Sequence, residues 1–385
     1  MATEEGGRDL ALALKDIFRV NFGVRPGEKA LVFTDLIRHG GHEELPPPER
    51  ERRAGLVGVA RAAREAGARM GLDVRYMEYP DLGGPGVEPA AELWRLAFGE
   101  SAVDALEGGG LLDRLRDKAA GREEIERARS IVGRHRGDAV EVVLALANFS
   151  TTHTRFRDLL TASAGARYAS MPLFSEEMLW GAMGADWAAV ADRCDALADA
   201  LSGAESVRVT TPDGTDISFS ITGRKLHKDT GMLREPGTVS NLPAGEVYAA
   251  PVEGTGEGVL MLNWAPERRL ASPLRVRVEG GMAREVTGDD PYKNELLASF
   301  GRRAENANLA ELGIGANDRA TRPDNILESE KILGTVHMAF GDNSSMGGSV
   351  STPFHQDFVF FMPTLTVKTA GGLREVLREG RLFVG

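Results

Sequence analysis

The residues able to do chemistry gather towards the C-terminal end of the chain. Between Glu311 and Asp357 the sequence reads ELGIGAN, then ESEKILGTVHMAFGDNSSMGG, then HQD. This stretch supplies Glu311, His337, His355 and Asp357, with Glu328, Glu330 and Asp342 between them. His355 and Asp357 form a His-x-Asp pair, and side chains on a strand alternate with period two. A strand there would aim both at one face, about 7 Å apart. His337 sits inside the apolar run KILGTVHMAF, Glu311 precedes LGIG, and Glu246 opens EVYAAPV. A carboxylate or imidazole held among apolar neighbours needs a proton, a counter-charge or a metal. Oxygen and nitrogen donors without a thiolate suit zinc, manganese, cobalt or iron(II). The expected chemistry is that of a divalent metal; the alternatives are hydrogen-bonded core histidines and a surface carboxylate at Glu246.

Other chemistries find little support. There is no His-Glu-x-x-His, no Gly-x-Ser-x-Gly, no Gly-x-Gly-x-x-Gly and no Gly-Lys-Ser/Thr. These absences speak against a helix-borne zinc protease, a serine hydrolase of the nucleophile-elbow type, and dinucleotide or P-loop binding. The single cysteine, Cys194, lies in the helical pattern WAAVADRCDALADAL and reads as a small residue on a helix face. His39 and His42, followed by Glu43 and Glu44, occupy a polar loop and read as solvated or as a further metal pair. DNSSMGG, beside the proposed site, is either a mobile substrate loop or a turn joining strands.

Two kinds of element must position these groups. In the first half, apolar runs alternate with helical periodicity. Strands are expected at 29–35, 73–79 and 138–148, and helices at 8–22, 50–66, 88–98 and 121–134. Such alternation implies an open parallel sheet with helices on its faces. In an open α/β sheet, ligands bind beyond the carboxyl ends of the strands. His153 and Arg155 follow the third strand, in FSTTHTRFRD, as a substrate-facing loop or a capped helix start. Near residue 204 the pattern turns to alternating strands punctuated by turns such as Pro-Asp-Gly-Thr. Strands are expected at 246–252, 258–264, 274–281, 283–288, 308–315, 333–340, 356–362, 365–368 and 373–378, with one helix at 291–303. The expected architecture is an α/β domain over 1–203 and a mainly antiparallel β, metal-binding domain over 204–385.

Composition sets wider bounds. At 385 residues the chain exceeds one ordinary core. A net charge of −11 argues against a nucleic-acid partner. No run of about 18 apolar residues predicts a membrane span. The N-terminus lacks the basic, apolar and small-residue order of a signal peptide. With one cysteine, a reducing, cytoplasmic setting is expected.

The chain resembles the aminopeptidase T-like metalloaminopeptidases of peptidase family M29. The resemblance runs over about 145–360, through STTHTRFR, GARYASMP, DGTDISFSITGR, NLPAGEVYAAP, ELGIGAN, EKILGTVHMAFGDN and the His-x-Asp. It implies that Glu246, Glu311, His337, His355 and Asp357 hold two divalent ions, zinc, cobalt or manganese. It further implies a homodimer and hydrolysis of N-terminal residues from peptides by a metal-activated water. Two positions depart from that pattern. Ile332 stands where those enzymes carry a glutamate, and Ser344 where they carry a tyrosine. Glu330 is then the candidate general base, expected on the strand face opposite His337, and His153, Arg155 and Asp342 are candidate substrate contacts. The resemblance extends to dihydroxypyridine ring-cleaving dioxygenases of the same fold. These imply the alternative: His337, His355 and Asp357 as the two-histidine, one-carboxylate set of a single iron(II), acting on a small molecule.

Overall fold

The computed structural model describes residues 9–38 and 45–383. His39, His42, Glu43 and Glu44 lie outside the described residues. Two compact units are present: Met1–Gly184 with Gly231–Pro243, and Ala185–Thr230 with Ala244–Gly385. The chain thus passes between units more than once, whereas composition alone places the change near residue 204.

The first unit is an α/β layer. Its strands β1 (Lys29–Leu36), β2 (Asp73–Pro80), β3 (Val142–Ala145) and β4 (Arg167–Ser170), with β8 (Val239–Asn241), form a parallel sheet ordered β2-β1-β3-β4-β8. Its helices are α1 (Leu10–Asp16), α2 (Pro47–Arg69), α3 (Ala91–Phe98), α4 (Glu100–Gly108), α5 (Leu112–Arg116), α6 (Arg122–Arg134) and α7 (Arg155–Ala162). A parallel sheet is buried on both faces, which is why VVLA of β3 and RYAS of β4 are entirely buried. An aromatic cluster of Phe33, Trp94, Phe98 and Phe156 fills the core, with Trp94 and Phe98 stacked at 5.0 Å. β4 and β8 go beyond the expected strands, because these short strands lack the longer apolar run that marks β3. The helix expected over 8–22 continues past α1 as a π-helical stretch, Ile17–Phe22.

The second unit is antiparallel throughout its named strands. Its elements are β5 (Ser206–Thr210), β6 (Asp216–Ser220), β7 (His227–Asp229), β9 (Glu246–Ala249), β10 (Glu257–Ala265), β11 (Arg268–Glu279), β12 (Met282–Thr287), β13 (Leu309–Gly315), β14 (Val336–Gly341), β15 (His355–Phe360), β16 (Thr364–Thr369), β17 (Gly372–Arg378) and β18 (Arg381–Leu382). Helices α8 (Trp187–Leu201), α9 (Tyr292–Arg302) and α10 (Ile326–Ser329) accompany them. One sheet has the order β12-β11-β10-β6-β5-β16-β17-β18, the other β15-β14-β13-β9-β7. α8 packs on β7 and β9, and so belongs to this unit rather than to the α/β layer. Among the described residues no helix is long and apolar enough to cross a membrane.

Candidate metal centre

The five-stranded sheet of the second unit carries the chemistry. Its register sets Glu246 opposite Gly315, Tyr248 opposite Gly313, Gly313 opposite His337, Glu311 opposite Ala339, Ala339 opposite Asp357, and Gly341 opposite His355. Period two along each strand then places Glu246, Glu311, His337, His355 and Asp357 on one face. The intervening positions of β13 and β14 on that face are small: Gly313, Gly315, Ala339 and Gly341. All three glycines are required by close approach, Gly341 by the Phe354 carbonyl. A Cβ on Gly313 would stand 1.9 Å from His337 Nε2, so the imidazole lies across β13 where a side chain would be. A Cβ on Gly315 would meet the Ile332 carbonyl at 2.1 Å. That absence admits the segment after α10, whose Lys331 carbonyl accepts from Asn317 N at 2.8 Å.

The donor atoms form a chain across the face. Asp357 Oδ2 lies 3.4 Å from His355 Nε2, which lies 3.2 Å from Glu311 Oε2. Glu311 Oε1 is 3.5 Å from His337 Nε2, which is 3.4 Å from Glu246 Oε2. Lys331 Nζ then binds both Glu246 Oε1 and Glu330 Oε2 at 2.8 Å. Glu311, His355 and Asp357 offer ligand atoms all within 4.8 Å of one another. Of the four carboxylates, Glu246 and Glu330 thus face the ammonium, while Glu311 and Asp357 face the imidazoles. Desolvation pushes Glu311 up, but the two imidazoles outweigh it and hold that carboxyl well below the usual range. Desolvation opposes charge on His337, yet Glu311, Glu246 and Glu330 raise it to about 9. The same opposition is overcome at His355, chiefly by Asp357 and Glu311, which raise it well above its ordinary value.

These residues fit a divalent ion. The imidazole–carboxylate spacings exceed the 2.7–2.9 Å of a charge-assisted hydrogen bond. They match the ~3.0–3.4 Å separation of two atoms each about 2.1 Å from a shared ion. Two buried carboxylate oxygens on this face, Glu246 Oε2 and Asp357 Oδ1, have no hydrogen-bond partner. His355 Nδ1 lies 2.8 Å from the Asp342 carbonyl. A carbonyl only accepts, so Nδ1 carries a proton, and Nε2 is the ring atom that would exchange its own proton for a metal ion.

The other expected residues are placed differently. Glu330 is not on a strand: Ile326–Ser329 is helical and β14 starts at Val336, so alternation from His337 does not apply to it. Burial, against the pull of Lys331, lifts its carboxyl to about 7. Glu328 accepts from the backbone N–H groups of Thr321 and Arg322 at 2.7 and 3.2 Å and holds that loop. Asp342 turns its carboxylate on Ser344 and Thr352, and only its carbonyl reaches the histidine. DNSSMGG is an ordered turn. Asn343 Nδ2 and Ser349 N donate to Glu253 Oε1 at 2.9 and 2.7 Å, and Arg224 binds Glu253, Gly347 and Pro251. His153 and Arg155 belong to the first unit. There Thr154 caps α7 and Glu88 accepts from the Arg155 and Phe156 backbone N–H groups, a capped helix start. Cys194 is buried, and burial pushes its thiol up to about 12.

Sequence reasoning missed Lys331 and the pair His227 and Tyr248, stacked at 5.1 Å on β7 and β9. A lysine inside the buried KILGTV was the available signal for the first. The pair had none, since β7 has only three residues.

Comparison with curated proteins found no match. Two solved structures share the fold over nearly the whole chain. One is 2,5-dihydroxypyridine dioxygenase from Pseudomonas putida KT2440, at 16% identity and TM-score 0.67, covering 97% of this chain and 96% of that one. The other is wild-type AmpT from Thermus thermophilus, at 17% identity and TM-score 0.55, covering 97% and 99%. The likeness to AmpT supports the M29-like fold, and at these identities it carries the fold alone. The family profile described as "NicX: 2,5-dihydroxypyridine 5,6-dioxygenase" matches residues 176–383, more than half of the chain and the whole donor set. This match overturns the expectation of a hydrolase, a metalloaminopeptidase: the resemblance read from the motifs reported a shared scaffold and not a shared reaction. The chain belongs to the NicX, 2,5-dihydroxypyridine 5,6-dioxygenase, family.

Proposed function

We propose that this protein is a ring-cleaving dioxygenase for a dihydroxylated pyridine or a closely similar electron-rich ring, working with one iron(II). The observation that carries this reading is the family match over 176–383, which encloses a thiolate-free set of two histidines and carboxylates. Glu311, His355 and Asp357 lie within ligand range of one another, and in this reading His337, on the other oxygen of Glu311, completes a set of two histidines and carboxylates. When bound, the iron supplies the redox chemistry by which dioxygen reacts with an aromatic ring.

The chain's own groups hold and orient. The Asp342 carbonyl fixes the His355 tautomer, and Gly313 leaves the space in which His337 lies. Glu330, lifted to about 7 by burial, holds or releases a proton near neutrality, which suits loss of a proton from a ring hydroxyl. Assembly as a homodimer is part of this proposal and is tested by light scattering.

The deciding experiment loads the metal-free protein with iron(II) under argon, then admits oxygen with 2,5-dihydroxypyridine. One dioxygen consumed per ring, with both atoms of labelled oxygen in the product, is expected. Absence of oxygen uptake with this and related dihydroxylated rings at full iron content refutes the reading.

A further inference from the structure

Lys331 lies against two of the carboxylates at this site. Its side chain is 1% exposed, and Nζ lies 2.8 Å from both Glu246 Oε1 and Glu330 Oε2. An ammonium offers donors only, so each of those carboxylate oxygens is engaged by a positive charge. The placement is built into the fold. Gly315, opposite Glu246 in the register, has no Cβ, and a Cβ there would meet the Ile332 carbonyl at 2.1 Å. The backbone then pins the segment from both sides. Asn317 N donates to the Lys331 carbonyl at 2.8 Å, and Leu333 N donates to the Asn317 carbonyl at 3.0 Å.

We propose that the buried Lys331 ammonium takes the place of a second metal ion, so that this site holds one ion and Glu246 and Glu330 answer to the lysine instead. The inference rests on the one-iron reading above and deepens it. A first ion draws on His337, His355, Asp357 and Glu311. The further carboxylates at the site are Glu246 and Glu330, and both are bound to Lys331. A second divalent ion would have to displace a fixed positive charge from a buried, low-dielectric pocket and share its carboxylates. Lys331 is therefore a positioning residue. It sets the charge and the orientation of Glu246, whose other oxygen faces His337 Nε2 at 3.4 Å.

The test counts ions. Metal-free full-length protein is dialysed against cobalt(II), and bound metal per chain is measured by elemental analysis alongside the visible cobalt spectrum. The wild type is expected to take one cobalt, with any second at least 100-fold weaker. Lys331→Met, neutral and of similar length, is expected to take two, and Lys331→Arg to stay at one. Two tight ions in the wild type, or one in a folded Lys331→Met, overturn the proposal. If Lys331→Met does not fold, Glu246→Gln decides. Retention of one cobalt within about threefold of the wild-type affinity supports the proposal, and loss of that ion makes Glu246 a ligand and overturns it. Oxygen uptake separates the two readings. One cobalt with no dioxygenase activity of the iron form leaves this inference standing and removes the other, whereas activity with two tight ions does the reverse.

Discussion

Replacing Gly313 by alanine tests the geometry of the centre with the smallest possible change. The new Cβ would stand 1.9 Å from His337 Nε2 and 2.1 Å from Cε1, whereas ordinary contact begins at 3.4 Å. The imidazole must retreat by about 1.5 Å, or β13 and β14 must part by as much. His337 Nε2 starts 3.5 Å from Glu311 Oε1 and 3.4 Å from Glu246 Oε2, so a movement of that size is a large fraction of the spacing. Losing the orientation of one ligand costs metal affinity on the order of 10–100-fold, about 1.4–2.7 kcal/mol. Overpacking destabilises the fold by a further ~1–3 kcal/mol. The assay is cobalt(II) titration of Gly313→Ala, with urea unfolding of the metal-free protein beside it. The double variant with His337→Ala separates the two effects. With the ring gone, Gly313→Ala should change unfolding by less than about 0.5 kcal/mol. Cobalt affinity within twofold of wild type in Gly313→Ala would refute the claim that the imidazole lies across β13.

Three further outcomes are expected. In the metal-free protein His337 is raised to about 9 from an unfolded value near 6.5. Its contribution to stability is full below about 6.5 and is lost as pH rises through 9, while metal affinity climbs over the same window because protons no longer compete. Urea midpoints and cobalt titrations from pH 6 to 9 should therefore move in opposite directions, and parallel movement contradicts the assignment. Glu253 is pushed up by burial, but the Ser349 backbone N–H, Asn343 and Arg224 outweigh this and hold it at about 2. Glu253→Gln should cost on the order of 2 kcal/mol near pH 7, a difference that fades as pH falls from about 4.5 towards 2. It should also weaken cobalt binding severalfold, by loosening the turn whose Asp342 carbonyl orients His355; unchanged affinity in a measurably destabilised variant would disconnect the turn from the metal. Glu330→Gln should remove the limb near pH 7 from the kcat profile of the iron form; a limb that persists assigns that proton elsewhere.

Much of the fold was legible because it is written in local periodicity. The alternation of apolar runs and helical stretches in the first half, and the period-two strands after residue 204, each follow from neighbours within a few positions. β4, β7 and β8 escaped because these three- and four-residue strands lack the longer apolar run that marks β3 in VEVVLALA. The candidates Glu246, Glu311, His337, His355 and Asp357 stood out for a related reason: polar side chains embedded in apolar strands mark themselves. The inference from His337 to Glu330 by counting failed because it assumed a regular strand through residues that form α10 and a turn.

By itself, then, the sequence determined which residue types were available, that they would sit on strands, and that a proton, a counter-charge or a metal ion would have to answer them. The tertiary structure alone decided the rest. Register between β9, β13, β14 and β15 brings Glu246 and Asp357 onto one face although 110 positions separate them in the chain numbering. No local pattern fixes such a register. The missing Cβ atoms of Gly313 and Gly315 acquire meaning only when His337 and Ile332 are seen lying against them. The same holds for Lys331: along the chain it is one more charged residue, and only packing turns it into a buried cation shared by two carboxylates.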